Sequence, residues 1–323
     1  MPARSRRKIE YLRVSVGDRC DLRCIYCRSA SPELHPKGEI LSFEEIVEVV
    51  RVASEFGVRR VRLTGGEPLL RRDIVRLVEL LRERCDLQDL SLTTNGTRLA
   101  RMARELKRAG LDRVNVSLDS LKPERFRALT RGGDLKAVLV GIERAAAVGL
   151  TPVKVNTVIM RGVNDDEAPE LVRFALERGF ILRFIELMPV GEAVRNGLWR
   201  RAFVGAGEIR ALLSREFLLV PDTGAEGGGP ARYFRVEGLP GKVGFITAIS
   251  RPFCAECNRL RVTATGELRP CLAFDSGIPL REALRRGDRD AVREAFAAAI
   301  EGKPPGHRWH EVPTRTGMDE LGG

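Results

Sequence analysis

The stretch LRVSVGDRCDLRCIYC, residues 12–27, opens on a short apolar run, LRVSV, and passes directly into a loop carrying Cys20, Cys24 and Cys27. LRVSV reads as a strand, and the same strand-then-polar-loop pattern returns at RVRLT (60–64), LSLTT (90–94), RVNVSL (113–118), PVKVNTVI (152–159) and ILRFIEL (181–187). Between these lie runs of helical period: SFEEIVEVVRVASEFG (42–57), DIVRLVELLRER (73–84), LARMARELKRAG (99–110), DLKAVLVGIERAAAVGL (134–150) and PELVRFALERG (169–179). Ser42 and Glu45 form a capping box at the start of the first, and Gly57, Gly110, Gly149 and Gly179 fall where helices end. Strands and helices in strict alternation predict a parallel sheet covered on both faces. Right-handed crossovers then give a partial (β/α)6 TIM-type barrel or an open doubly wound sheet.

In either architecture the site lies at the carboxyl ends of the strands. That mouth collects the cysteine loop, TGGEP (64–68), TTNG (93–96), SLD (117–119), Lys154 and Asn156 from the fifth strand, and Glu186 and Met188 from the sixth. After Met188 the pattern changes. A short helix (GEIRALLSREF, 207–217), a glycine-rich linker or hairpin loop (DTGAEGGGPA, 222–231), two strands (RYFRV, 232–236; KVGFITAI, 242–249), a second cysteine group and a closing helix (290–300) follow. The division predicted is 1–190 for the barrel and 191–323 for a C-terminal extension.

The seven cysteines divide as three, three and one, which suits metal sites in a reducing compartment better than a disulfide framework. Three thiolates at C-x3-C-x2-C are one short of the four that close an iron–sulfur cluster, so one iron would stay open for chemistry. A structural zinc site would want a fourth ligand, and the nearest histidine, His35, lies beyond a Ser/Pro-containing stretch. Cys254, Cys257 and Cys271 again supply three thiols; zinc remains open there if His307 or His310 reaches back from the tail. Cys85 follows a helix-like run and has no assigned role. The net charge of +11 favours an anionic ligand. Aromatic residues are sparse with no stacking motif, so nucleic acid is not expected. No apolar run approaches a membrane span and the basic N-terminus lacks a signal-peptide core, which predicts a cytoplasmic protein.

Within GGEP, Gly65–Pro68, the glycines allow backbone to approach a ligand and the carboxylate is expected to meet an ammonium. Arg259 and Arg261 share one face of a strand just behind the second cysteine pair, as a phosphate clamp or as two surface arginines. Lys154 and Arg13 sit on strands where a cation is costly without an anion; a salt bridge to Asp119 or Glu186 is the alternative.

Together, C-x3-C-x2-C and GGEP resemble the radical S-adenosylmethionine (SAM) superfamily, with Tyr26 as the usual aromatic before the third cysteine. Nearly the whole chain resembles one family in it, the GTP 3′,8-cyclases of molybdenum cofactor biosynthesis. The resemblance runs through VRLTGGEPLLRRD (61–73), LTTNGT (92–97), NVSLDSL (115–121), VKVNTVIMRGVND (153–165), FIELMP (184–189), FCAECNRLRVTATGELRPCL (253–272) and the terminal Gly322–Gly323. It implies two 4Fe-4S clusters, one on Cys20, Cys24 and Cys27 and one on Cys254, Cys257 and Cys271. It implies SAM contacts from Tyr26, Gly66, Ser117 and Met188, and GTP contacts from Arg13, Arg62, Thr93, Lys154, Arg259 and Arg261. The 5′-deoxyadenosyl radical would take the ribose 3′ hydrogen of GTP, and attack on C8 would give 3′,8-cyclo-7,8-dihydro-GTP. Gly322 and Gly323 would enter the active site.

The resemblance further implies a reductant such as flavodoxin or ferredoxin, a downstream cyclic pyranopterin monophosphate synthase, and a homodimer. One departure stands out: Arg28-Ser29-Ala30 replaces the usual Met-Pro after the third cysteine, which predicts a looser or more exposed loop and a raised cluster potential. A radical SAM peptide-modifying enzyme and a zinc-knuckle nucleic-acid binder are the alternative readings.

Overall fold

The computed structural model describes residues 7–224 and 229–322. Six strands, β1 (Tyr11–Ser15), β2 (Arg60–Thr64), β3 (Asp89–Thr94), β4 (Arg113–Ser117), β5 (Lys154–Ile159) and β6 (Ile181–Glu186), lie parallel and in chain order. Each falls within two residues of the strand read from the sequence. Helices α1 (Phe43–Glu55), α2 (Ile74–Arg84), α3 (Leu99–Arg108), α4 (Pro123–Thr130), α5 (Leu135–Ala147) and α6 (Ala168–Glu177) fill the crossovers. The capping box forms: the Ser42 hydroxyl accepts from Glu45 N at 3.1 Å, and the Glu45 carboxylate accepts from Ser42 N at 2.6 Å. This start turns Ile46, Val49, Val50 and Ala53 of α1 into the core. α4, which the sequence reading did not separate, begins on Pro123, where proline's missing N–H costs nothing.

The chain continues through α7 (Glu192–Arg195), α8 (Leu198–Ala202), α9 (Ala206–Leu213), β7 (Leu219–Asp222), β8 (Arg232–Val236) and β9 (Lys242–Ile246). It ends with β10 (Arg259–Val262), β11 (Glu267–Arg269), β12 (Ile278–Pro279), α10 (Arg281–Arg286), α11 (Arg289–Glu301) and α12 (Met318–Leu321). The twelve strands form one open sheet in the order β12-β11-β10-β1-β2-β3-β4-β5-β6-β9-β8-β7. β9 joins β6 in parallel and β10 joins β1 in parallel, so the partial barrel gains a parallel strand on each side. The glycine-rich stretch connects the antiparallel pair β7 and β8, and its residues 225–228 lie outside the described residues. No helix among the described residues is long and apolar enough to cross a membrane.

Period-two alternation separates stability from chemistry along each parallel strand. Leu12, Val14, Val61, Leu63, Leu90, Leu92, Val114, Val116, Val155 and Leu182 are fully buried in the core that the helices cover. Each contributes roughly 1.5–3 kcal/mol by leaving water. The intervening positions carry Arg13, Arg62, Thr93, Asn115, Ser117, Lys154, Asn156 and Arg183 on the opposite, inward face. Register aligns them: Arg13 lies between Arg261 and Arg62, and Asn156 between Ser117 and Arg183.

Candidate active site

The loop after β1 folds tightly on itself, with Cys27 N donating to Cys24 O at 2.9 Å. Leu22 N at 3.4 Å and Asn95 Nδ2 at 3.7 Å both face the Cys20 sulfur. All three thiols are free and half-buried, and burial pushes Cys20 up to about 11 and Cys24 and Cys27 upward as well. A metal is the usual means of holding such buried sulfurs as thiolates.

The GGEP turn props this loop. Gly66 N donates to Gly17 O at 2.8 Å and Glu67 N to Arg19 O at 2.7 Å. A Cβ on Gly66 would lie 2.5 Å from Arg19 O, so only glycine lets the two loops touch. The Glu67 carboxylate is buried and accepts from Leu69 N, Thr94 Oγ1 and Asn95 N, which makes it a brace between the β2 and β3 loops. Burial raises it to about 7 in spite of these bonds.

The second cysteine group enters the same cavity from the β10 side. Arg7 donates to Cys254 O at 2.8 Å and to the carbonyls of Lys303 and Pro304, both at 2.8 Å. Lys303 Nζ ties Arg259 O at 2.7 Å to Pro270 O at 2.5 Å, clamping the two ends of the cysteine hairpin. Burial opposes the Cys257 thiolate, but Arg259 and Lys303 outweigh it and bring the thiol down to about 6. Arg259 donates toward that sulfur at 3.6 Å, and Ala273 N lies 3.4 Å from the Cys271 sulfur.

Between the two triads the inward face is strongly cationic. Arg13, Arg62, Arg183, Arg259 and Arg261 line the cavity. Burial and the neighbouring Arg261 and Arg62 push Arg13 well below the usual arginine range, a mark of cations crowded without an anion between them. Burial lowers Arg183 and Arg261 to about 10. The two carboxylates considered as partners for Arg13 and Lys154 are otherwise engaged. Asp119 accepts from Tyr26 Oη at 2.7 Å and Val158 N at 2.8 Å. Glu186 accepts from Ala206 N, Ile249 N and Ser250 N, joining β6 to the chain that follows.

Tyr26, Gly66, Thr93, Ser117, Met188 and both cysteine triads all line this one cavity. Lys154 is outside that lining: it is buried two residues before Asn156, with its ammonium 5.7 Å from the Tyr233 ring centre. Gly322 packs on the cavity wall instead of lining it. Its carbonyl accepts from Arg261 at 2.5 Å, and a Cβ there would lie 2.5 Å from Thr64 Cγ2. Gly323 lies outside the described residues. Tyr11, Arg183, Asn95, Arg7 and Lys303 were not singled out in the sequence. Tyr11 and Arg183 carried a signal, since they keep the inward parity of Arg13 and of the polar positions on β5, and Asn95 lay within the TTNG stretch read at the mouth.

Residues 14–175 match the Radical SAM superfamily model and residues 180–309 the model described as Molybdenum Cofactor Synthesis C. A GTP 3′,8-cyclase of Heliobacterium modesticaldum is 49% identical over 325 residues, covering 98% of each chain. One from Moorella thermoacetica is 47% identical over 323 residues, again covering 98% of both. The chain belongs to the GTP 3′,8-cyclase family of radical SAM enzymes. Streptococcus suis SuiB bound to S-adenosylmethionine shares the fold, with TM-score 0.62 and 18% identity over 90% of this chain and 68% of that one.

Membership of a radical SAM family concerned with molybdenum cofactor synthesis displaces both the peptide-modifying and the zinc-knuckle readings. It also implies a 4Fe-4S cluster and SAM, and the first triad fits that group: three free thiols, two N–H donors at one sulfur and an adjoining cavity. At the second triad, His307 Nε2 lies 2.8 Å from Ala248 O and His310 is exposed. At the departure from the family, Ala30 and Ser31 are exposed, as expected, but Arg28 is not. Arg28 is 2% exposed and paired with Asp319, whose carboxylate lies 2.9 Å from its Nε.

Proposed function

We propose that this chain converts GTP to (8S)-3′,8-cyclo-7,8-dihydroguanosine 5′-triphosphate, using SAM, a 4Fe-4S cluster on Cys20, Cys24 and Cys27, and a second 4Fe-4S cluster on Cys254, Cys257 and Cys271. The observation that carries this reading is a cavity walled by six arginines in which three buried polar atoms, Tyr11 Oη, Arg13 Nε and Thr93 Oγ1, have no hydrogen-bond partner among the described residues. Leaving such groups unpaired is expensive, and an anion with several oxygens answers all of them at once. A triphosphate has that chemistry.

When bound, the first cluster and SAM supply the 5′-deoxyadenosyl radical that abstracts the ribose 3′ hydrogen. The chain's own residues do the rest. Tyr26, fixed by Asp119, together with Gly66, Ser117 and Met188, bounds the SAM side of the cavity. Arg13, Arg62, Thr93, Arg183, Arg259 and Arg261 hold the triphosphate, with Lys154 beneath them on the inward face of β5. This fixes the ribose between the two cysteine triads and lets the purine reach the second. Positioning of this kind supplies much of the rate enhancement in bimolecular chemistry. Gly322 completes the wall on the β1–β2 side. An electron donor such as flavodoxin or ferredoxin, and delivery of product to cyclic pyranopterin monophosphate synthase, complete the reading.

Tyr11→Phe tests the carrying observation. It removes one hydroxyl and leaves the ring over Arg62, whose guanidinium carbon is 5.2 Å from the ring centre. A hydrogen bond to a charged group contributes about 1.5–3 kcal/mol, so GTP should bind roughly tenfold to a hundredfold more weakly in equilibrium titration. Guanosine binding should not change. Equal GTP affinity in the two proteins would remove the triphosphate from this end of the cavity.

A further inference from the structure

Arg28 follows the last thiol of the first triad, yet it makes its charged contact with a residue near the other end of the chain. Its Nε lies 2.9 Å from Asp319 Oδ2, and the two side chains are 3% and 10% exposed. None of the three guanidinium nitrogens of Arg28 makes a hydrogen bond among the described residues, so the 2.9 Å contact with Asp319 is an ion pair without hydrogen-bond geometry, and it is the charge compensation described for this cation. Asp319 belongs to α12, whose Met318 lines the cavity and whose following residue, Gly322, ends on Arg261.

The rest of the tail is fastened elsewhere. Thr314 pairs with the β6 exit, donating to Pro189 O at 3.1 Å and accepting from Gly191 N at 2.9 Å. Asp275 accepts from Arg315 N at 3.0 Å and from Thr316 N at 2.9 Å, and Arg269 donates to Thr316 Oγ1 at 3.1 Å. Between those anchors and the Arg261–Gly322 bond, Arg28–Asp319 is the ionic contact that joins α12 to the cysteine loop.

We propose that Arg28 is a positioning residue for the C-terminal tail: its ion pair with Asp319 latches residues 318–322 onto the loop of Cys20, Cys24 and Cys27, so that tail docking and loop order depend on each other. The physical reason is the asymmetry of buried charge pairs. Removing one partner leaves the other buried and uncompensated, which costs far more than the pair contributes over an apolar replacement. The cheapest escape for either orphaned charge is to reach water, and for Asp319 that means lifting the tail away. The inference stands whichever nucleotide fills the cavity.

A double-mutant cycle on the full chain, before and after cluster reconstitution, tests the latch. The variants are Arg28→Met, Asp319→Asn and both together, read by hydrogen exchange across residues 314–322 and by the rate at which carboxypeptidase trims the terminus. Each single variant should raise tail exchange and trimming at least tenfold, with exchange in α1 and α5 unchanged. The double variant should do no worse than the worse single one, because the two losses are one interaction. In the reconstituted enzyme the single variants should also lower the yield of cyclised nucleotide per 5′-deoxyadenosine. Tail exchange that stays at the wild-type rate in both single variants would overturn the latch. So would additive effects in the double variant.

Discussion

Gly66→Ala is expected to abolish SAM cleavage while leaving the fold intact. The added Cβ would sit 2.5 Å from Arg19 O and 2.9 Å from Asp18 O, and both are backbone atoms that no rotamer change can move. The two loops are also tied by Gly66 N to Gly17 O and Glu67 N to Arg19 O, so relief must come from displacing residues 17–19 as a unit. Cys20 is the next residue. A shift of about 1 Å at a reacting centre can cost on the order of a hundredfold in rate. Iron content after reconstitution should fall, and 5′-deoxyadenosine formation should fall by at least that factor. Gly207→Ala is the matched control: it lies in α9, its Cβ meets nothing within 4 Å, and both readouts should stay at wild type. Full iron content and full cleavage in Gly66→Ala would mean that the GGEP turn does not support the cluster loop.

Arg261→Ala should separate substrate binding from radical initiation. The guanidinium is buried on β10 in register with Arg13, and it donates to the carbonyls of Leu321 and Gly322 at 3.3 and 2.5 Å. It thus faces the cavity and the tail at once. Truncating one partner of a buried, hydrogen-bonded charge contact costs roughly 2–5 kcal/mol, which corresponds to a loss of about 30-fold to several thousandfold in GTP affinity. The fold should tolerate the change, because Arg13 and Arg259 crowd Arg261 and removing one cation relieves their repulsion. The expected result is weak GTP binding in a protein with native circular dichroism and full iron content. Unchanged GTP affinity would place the triphosphate elsewhere.

Much of this architecture could be read before any coordinates, for a physical reason. Parallel strands buried on both faces appear as apolar runs, and here polar residues interrupt each run at every second position. Arg13, Arg62, Asn156 and Arg183 are such interruptions, and reading them as inward-facing recovers much of the wall of the cavity. The cysteine triads were equally legible, since their spacing is local. What the sequence concealed was long-range pairing. That β9 docks beside β6 and β10 beside β1 follows from packing, because neither strand carries a mark of its neighbour. The bonds that Thr94 and the amide of Asn95 give Glu67 were concealed as well, because they come from the next strand. Arg28 looked like a solvent-exposed departure because its partner, Asp319, is almost the whole chain away. Tyr11 was missed because the first strand was read as beginning at Leu12, although Tyr11 lies one period before Arg13.

The central claim, that this cavity takes GTP as the substrate of radical chemistry, is tested most directly under anaerobic conditions. Reconstituted protein is mixed with SAM and dithionite, with and without GTP, and 5′-deoxyadenosine and cyclised nucleotide are quantified together. The account predicts that GTP strongly stimulates 5′-deoxyadenosine formation and that the cyclised nucleotide appears with it. SAM cleavage that proceeds at the same rate without GTP, and yields no cyclised nucleotide when GTP is present, would contradict it.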